Sequence, residues 1–172
     1  MDKIIIQDNF LNQEELDECL KIINNKSWTW GHTSNGFYND TPFWKMDLID
    51  NEYFSVKIKG IIEKQFSKKF KIKSLYANAH TYGQDGSYHI DCFDPNCYIF
   101  CLYLTNIKEE NIETAGGLLF FKFSGLNYKI CFEPKFNRGI FFPSDYCHKA
   151  TSFSRYIMDL RVCVAWKLEE II

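Results

Sequence analysis

The feature that most constrains this chain is a change of period near residue 74. Downstream of it come short apolar segments in which every second residue is apolar or β-branched: "SLYANAHTYG", "SYHIDC", "NCYIFCLYLT", "GLLFFKF", "YKICFE", "RGIFFP", "YCHKATSF" and "LRVCVAWKL". Turn chemistry separates several of them, at Gly83-Gln84-Asp85-Gly86, Asp94-Pro95-Asn96 and Ser124-Gly125. Upstream, apolar residues recur at helical spacing instead. Leu16, Leu20 and Ile23 follow a short strand and an Asn12 N-cap with Glu14 and Glu15 in the first turn. Residues 51–69 read as a second helix carrying Phe54, Ile58, Ile61, Ile62 and Phe66. Two helices followed by about eight short strands is an α+β pattern. The expected architecture is a double-stranded β-helix, a cupin-like jelly roll, with the N-terminal helices packed on one sheet.

At 172 residues, with no linker, repeat or low-complexity stretch, one domain is expected: helical support over 1–73 and a jelly-roll core over 74–172. A net charge of −2 gives no field that would call for nucleic acid or an anionic membrane. Lysines 57, 59, 64, 68, 69, 71 and 73 read as a solvated face. Seven cysteines (19, 92, 97, 101, 131, 147 and 163) lack CxxC spacing. The start "MDKIIIQDNF" turns polar too early for a secretory leader, and no apolar run is long enough for a bilayer. A cytoplasmic protein with reduced thiols, monomeric or homodimeric, is the expectation.

The chemistry centres on "SYHIDCF". On a strand, residues i and i+2 share a face, so His89 and Asp91 can converge on one ion while Ile90 points away. A third ligand must come from elsewhere. His80 is close in sequence; His148 opens a strand after a turn, in "FFPSDYCHKATSF". Two histidines and one carboxylate form the facial set of non-haem Fe(II) oxygenases, and zinc with the same donors plus water is the chemical alternative. The arginines bear on this choice. Only Arg138, Arg155 and Arg161 occur, all near the C-terminus. A strand starting at Leu160 sets Arg161, Cys163 and Ala165 on one face, where a guanidinium would hold a dicarboxylate. A zinc hydrolase has no particular use for it.

These blocks, in this order, resemble the prolyl-hydroxylase-like branch of the Fe(II)/2-oxoglutarate-dependent dioxygenases. "YGQDGSYHID" resembles the segment with the first two metal ligands, and "CLYLTN" the next strand with its inward tyrosine. "AGGLLFF" resembles the Gly-Gly strand start, and "EPKFNRGIFFPSDYCHKAT" the segment with the last ligand. "LRVCVAWKL" resembles the final strand with its co-substrate arginine, and "IIIQDNFLNQEEL" the usual family start. The resemblance implies an enzyme with Fe(II), 2-oxoglutarate as co-substrate, O2 as oxidant and ascorbate as a supporting reductant. It implies His89, Asp91 and His148 as iron ligands. Arg161 would pair with the distal carboxylate of 2-oxoglutarate, and Tyr103 and Tyr82 would donate to the co-substrate. Alternation places Ile99, Cys101 and Tyr103 on one face, and Asn78, His80 and Tyr82 on another. Arg161 lies 13 positions after His148, farther than in many members; Arg155, 7 positions after, is the alternative carboxylate partner.

His80 is expected beside the ligands rather than among them, and Cys92 and Cys147 point away. The Gly116-Gly117 pair lets the backbone turn. The resemblance implies hydroxylation of an unactivated C–H, in a prolyl residue of a peptide or protein or in another amino-acid-like substrate, with release of succinate and CO2. Residues 28–48 hold three of the four tryptophans amid Gly, Asn, Ser and Thr. They also hold His32, Tyr38 and Asp40, and read as a long loop with aromatic anchors, as expected of a substrate lid or groove wall; His32 and Trp44 are the candidate substrate contacts. The loops 92–97 and 108–116 also flank the mouth. Two other functions fit parts of the pattern: a non-catalytic jelly-roll module binding a peptide or sugar, and a zinc-dependent hydrolase on a similar barrel.

Overall fold

A computed structural model describes residues 3–36, 40–108 and 111–171. Helix α1 (Gln13–Asn25) starts where Asn12 caps it. The Asn12 side chain accepts from the Glu15 amide at 2.9 Å, and the Glu15 carboxylate accepts from the Asn12 amide at 3.1 Å. The second helical stretch is shorter than 51–69 and of two kinds. A π-helical segment, Tyr53–Ile58, runs into α2 (Lys59–Phe66), which Ser67 closes in the left-handed conformation. Glu63 explains part of the departure from a simple solvated lysine face. It is buried and takes Lys59, Lys69 and the Phe70 amide.

The strands are β1 (Ile5–Gln7), β2 (Thr29–His32), β3 (Phe43–Asp47), β4 (Phe70–His80), β5 (Cys97–Tyr103), β6 (Leu119–Lys122), β7 (Ile130–Phe132), β8 (Gly139–Pro143), β9 (Cys147–Ala150) and β10 (Arg161–Glu170), with a short helix α3 (Ile112–Ala115) before β6. They form a seven-stranded sheet, β1-β8-β5-β10-β4-β3-β2, and a three-stranded sheet, β7-β6-β9. His89 adds to the small sheet by a bridge to His148. From β4 onward the chain alternates between the sheets: β4 large, His89 small, β5 large, β6 and β7 small, β8 large, β9 small, β10 large. This is the expected jelly roll, with antiparallel pairing throughout both sheets.

Alternation on β10 sets the layers. Val164, Trp166 and Leu168 face the helices, in one core with Leu16, Cys19, Ile23, Phe54, Ile58 and Ile62. Trp166 also donates its indole N–H to the Phe54 carbonyl at 3.1 Å, tying the helical layer to the central strand. Cys163 and Ala165 face inward with Ile99, Cys101, Tyr103, Leu119 and Phe121, in the core between the sheets.

Two local expectations are corrected. "SYHIDC" is not a continuous strand; it contributes the single bridge at His89, because Asp91 and Cys92 instead donate their amides to the Ser144 carbonyl. Residues 28–48 are not one long loop. β3 pairs with β4, and β2 with β3, so this segment widens the large sheet. Their pairing is non-local, and the polar residues between them mask it in sequence. All seven cysteines are free thiols. Among the described residues no helix is long and apolar enough to cross a membrane.

Candidate active site

The site lies between the two sheets. His89 and Asp91 come from the segment that crosses β9, and His148 from β9 itself. The turn before β9 holds both sides: Ser144 accepts the Asp91 amide at 3.2 Å, and His89 and His148 exchange backbone hydrogen bonds at 3.0 Å. One ligand atom from each of the three residues lies within 4.8 Å of the others. Nε2 of His148 is 3.6 Å from Asp91 Oδ2, and Nε2 of His89 is 3.8 Å from Asp91 Oδ1. Two atoms bonded to one ion at about 2.1 Å cannot be more than about 4.2 Å apart; both distances fall inside that limit, each through a different oxygen of the carboxylate.

The imidazoles are oriented for this. Nδ1 of His89 lies 2.9 Å from the Ser87 carbonyl, and Nδ1 of His148 lies 2.8 Å from the Tyr146 carbonyl. A carbonyl can only accept, so each Nδ1 carries a hydrogen and each Nε2 is the nitrogen turned to the centre. Burial, reinforced by the neighbouring His89, pushes His148 down to about 4, so its ring is neutral near pH 7. Burial works to raise the Asp91 carboxyl, but the Lys167 ammonium beside it outweighs this and holds Asp91 below its ordinary value. Two imidazoles and one carboxylate are the donor set an Fe(II) ion takes.

A cavity of about 100 Å³ joins this cluster to Arg161. Arg161 is 2% exposed, donates Nε–H to the Gly117 carbonyl at 2.7 Å, and stands 5.2 Å from the Tyr103 ring centre. Among the described residues it has no carboxylate partner. Two other buried groups on the cavity wall, Tyr103 OH and Asn78 Oδ1, also lack a hydrogen-bond partner. A buried cation and two orphaned polar atoms at one end of a cavity are costly unless a ligand satisfies them. A dicarboxylate fits the two donors among them, the Arg161 guanidinium and the Tyr103 hydroxyl; Asn78 Oδ1 only accepts and needs a donor from elsewhere. Gly117 makes room: at φ +70° its Cβ would lie 2.5 Å from Phe153 Cε1 and 3.2 Å from Arg161 Cδ.

The other expected residues divide. His32 lines the cavity, with its ring 5.4 Å from Tyr76. His80 is buried against Phe43 beside the cavity, as expected for a neighbour rather than a ligand. Tyr82 does not belong: it is 65% exposed, because β4 ends at His80 and the Thr81–Gln84 turn carries it outward. Trp44 is absent from the cavity wall; alternation on β3 turns Phe43 toward His80 and Trp44 against Trp30. Arg155 is exposed and bonded to the Tyr156 hydroxyl, away from the cavity. Tyr38 and residues 109–110 of the 108–116 loop lie outside the described residues. Thr33 and Ser34 of the β2–β3 connection do reach the cavity, and Ser34 accepts the Ser87 amide at 3.2 Å.

Two wall residues had no expected role. Lys167 reaches Asp91 Oδ1 at 2.6 Å. Its signal was the period of two: it follows Arg161, Cys163 and Ala165 on the same strand face. Asn78 was legible only as an inward position on β4.

No protein-family model matches the sequence, and no curated protein matches it. Solved structures do match in shape. A prolyl hydroxylase from Trichoplax adhaerens, in complex with a hypoxia inducible factor oxygen degradation domain peptide fragment, gives a TM-score of 0.73 at 14% identity, over 99% of this chain and 84% of that one. A 2OG-Fe(II) oxygenase family oxidoreductase from Burkholderia pseudomallei gives 0.75 at 8% identity, over 98% and 85%. HygX from Streptomyces hygroscopicus, with nickel, 2-oxoglutarate and hygromycin B bound, gives 0.70 at 9% identity, over 97% and 82%. The architecture is therefore that of the Fe(II)/2-oxoglutarate oxygenases. Within it, this chain carries a His-Asp-His cluster at residues 89, 91 and 148.

Proposed function

We propose that residues 1–172 form one Fe(II)- and 2-oxoglutarate-dependent oxygenase domain. The observation that carries this is the pairing of two features in one cavity: a clustered His-Asp-His donor set, and a buried Arg161 with no carboxylate partner among the described residues. A zinc hydrolase explains the first and not the second. A passive peptide or sugar module explains neither.

In this reading His89, Asp91 and His148 hold Fe(II) through Nε2, one carboxylate oxygen and Nε2. Bound iron with 2-oxoglutarate supplies the oxidising power: 2-oxoglutarate, O2 and a substrate C–H give succinate, CO2 and the hydroxylated product. The chain's residues do the positioning. Arg161 takes the distal carboxylate of 2-oxoglutarate in a charge-assisted pair, and the Tyr103 hydroxyl donates to the same molecule. Burial of Tyr103, together with the Cys163 beside it, pushes its phenol well above the ordinary value, so it stays protonated and able to donate. The packed aromatic wall, with Phe121 and Phe142 against His148, keeps bulk water from the reacting carbon. His32, Thr33 and Ser34 border the space left for substrate. A prolyl residue of a peptide, or another amino-acid-like substrate, is the class we assign to it, and seven free thiols favour a reducing compartment such as the cytoplasm.

The test is succinate formation under air with Fe(II), 2-oxoglutarate and ascorbate, across proline peptides and free amino acids. Wild type should form succinate, and one panel member should accelerate it; His148→Ala and Arg161→Ala should not form it. Folded, iron-loaded protein that neither binds 2-oxoglutarate nor forms succinate would contradict the reading in favour of a binding module.

A further inference from the structure

Lys167 is the fourth inward residue of β10, and its environment is specific. Its ammonium lies 2.6 Å from Asp91 Oδ1 and 5.6 Å from the centre of the Tyr76 ring. Lys45 approaches the same ring at 5.1 Å, so Tyr76 stands between two ammonium groups. The Lys167 side chain is 31% exposed and the Asp91 side chain 7%. The β4–β10 register also shifts here: Lys167 pairs with Ser74 and Leu168 with Ile72, leaving Lys73 as an extra residue on β4. Such bulges re-aim side chains beside active sites.

We infer that Lys167 is a positioning residue that fixes Asp91 as a one-oxygen ligand. This rests on the oxygenase reading above. The terminal torsion of an aspartate is soft, so a free carboxylate can rotate and offer both oxygens to a metal. That would fill a coordination position that the co-substrate or O2 needs. Both oxygens face the cluster, Oδ1 at 3.8 Å from His89 Nε2 and Oδ2 at 3.6 Å from His148 Nε2; Lys167 occupies Oδ1 and so leaves Oδ2 for the ion. Tyr76 in turn holds the ammonium in place, so the chain Tyr76–Lys167–Asp91 sets the carboxylate plane from the large sheet. The backbone sets both histidines from the small one.

Co(II) titrated under nitrogen, with binding followed by calorimetry and coordination by the visible absorption of the ion, tests this without turnover. Wild type should bind one Co(II), and His148→Ala should not. Lys167→Met should weaken Co(II) binding roughly 10- to 100-fold and change the absorption envelope, while Lys167→Arg restores most of both. Lys167→Gln, which keeps a polar side chain at this partly exposed position, should behave like Lys167→Met and guards against a folding defect in the latter. Unchanged or tighter binding in both neutral variants, with an unchanged spectrum, would overturn the inference, since Lys167 would then merely stand in for the ion. Wild type that binds no Co(II), or binds it equally after His148→Ala, would overturn the oxygenase reading itself and this inference with it.

Discussion

His89 and His148 sit directly opposite one another as an antiparallel pair that exchanges both backbone hydrogen bonds at 3.0 Å, with their rings 4.4 Å apart. The spacing of two ligands is thus set by main-chain pairing rather than by side-chain packing. Asp91, two residues on, is held by the same turn through Ser144. The site is preorganised because closing the small sheet assembles it.

Since the pairing is main-chain, His148→Ala should remove metal binding and leave the fold. Affinity for a divalent metal should fall by at least about 100-fold, beyond the 10- to 100-fold typical of residues that only support ligands. The far-ultraviolet circular dichroism spectrum should match wild type. Calorimetry with Mn(II) alongside that spectrum checks both parts.

Arg161→Met should separate function from stability. Losing one member of a buried charge pair costs about 2–5 kcal/mol, so 2-oxoglutarate affinity should fall roughly 30- to 5,000-fold. The ligand-free protein should lose little or gain stability, because an unpaired buried guanidinium is replaced by an apolar chain of similar length. Thermal melts with and without 2-oxoglutarate measure the two effects together.

Gly117→Ala should destabilise the fold by about 1–3 kcal/mol. Its φ of +70° disfavours a side chain, and the new Cβ would meet the Phe153 ring at 2.5 Å. The same atom presses on Arg161, so 2-oxoglutarate binding should weaken too. Urea unfolding gives the first number and ligand titration the second.

Stability should decline as pH falls below about 6.5. Burial, with Arg161 beside it, pushes His80 down to about 3 from 6.5. Between those values the unfolded chain takes up a proton that the folded one refuses, so acid favours unfolding; above 6.5 His80 adds no slope. The loss is at most about 1.4 kcal/mol per pH unit for one such group. Urea midpoints at pH 7.5 and 5 should differ less in His80→Phe than in wild type.

Much of this was legible in sequence where local rules dominate. The Asn12 cap and the inward face Arg161-Cys163-Ala165 follow from one residue's chemistry and a period of two, and the structure keeps both. Alternation failed where it was extended past an element's end. Tyr82 shares parity with Asn78 and His80, yet the strand stops at His80 and the turn reverses its direction. It was also stopped too soon, at Ala165, one step before Lys167. β2 and β3 were hidden because Gly, Asn, Ser and Thr surround them, and only pairing with β4 makes them strands. The orphaned Asn78 Oδ1 and, among the described residues, the lack of a carboxylate partner for Arg161 are three-dimensional facts that no local pattern encodes.

The most direct measurement is an anaerobic titration of 2-oxoglutarate into Fe(II)-loaded protein, followed by visible charge-transfer absorption from chelation of the keto acid. Saturable absorption in wild type is expected. It should be absent in His148→Ala and need at least about 30-fold more 2-oxoglutarate in Arg161→Met. Wild-type protein that holds iron but gives no absorption change at any 2-oxoglutarate concentration would contradict the account.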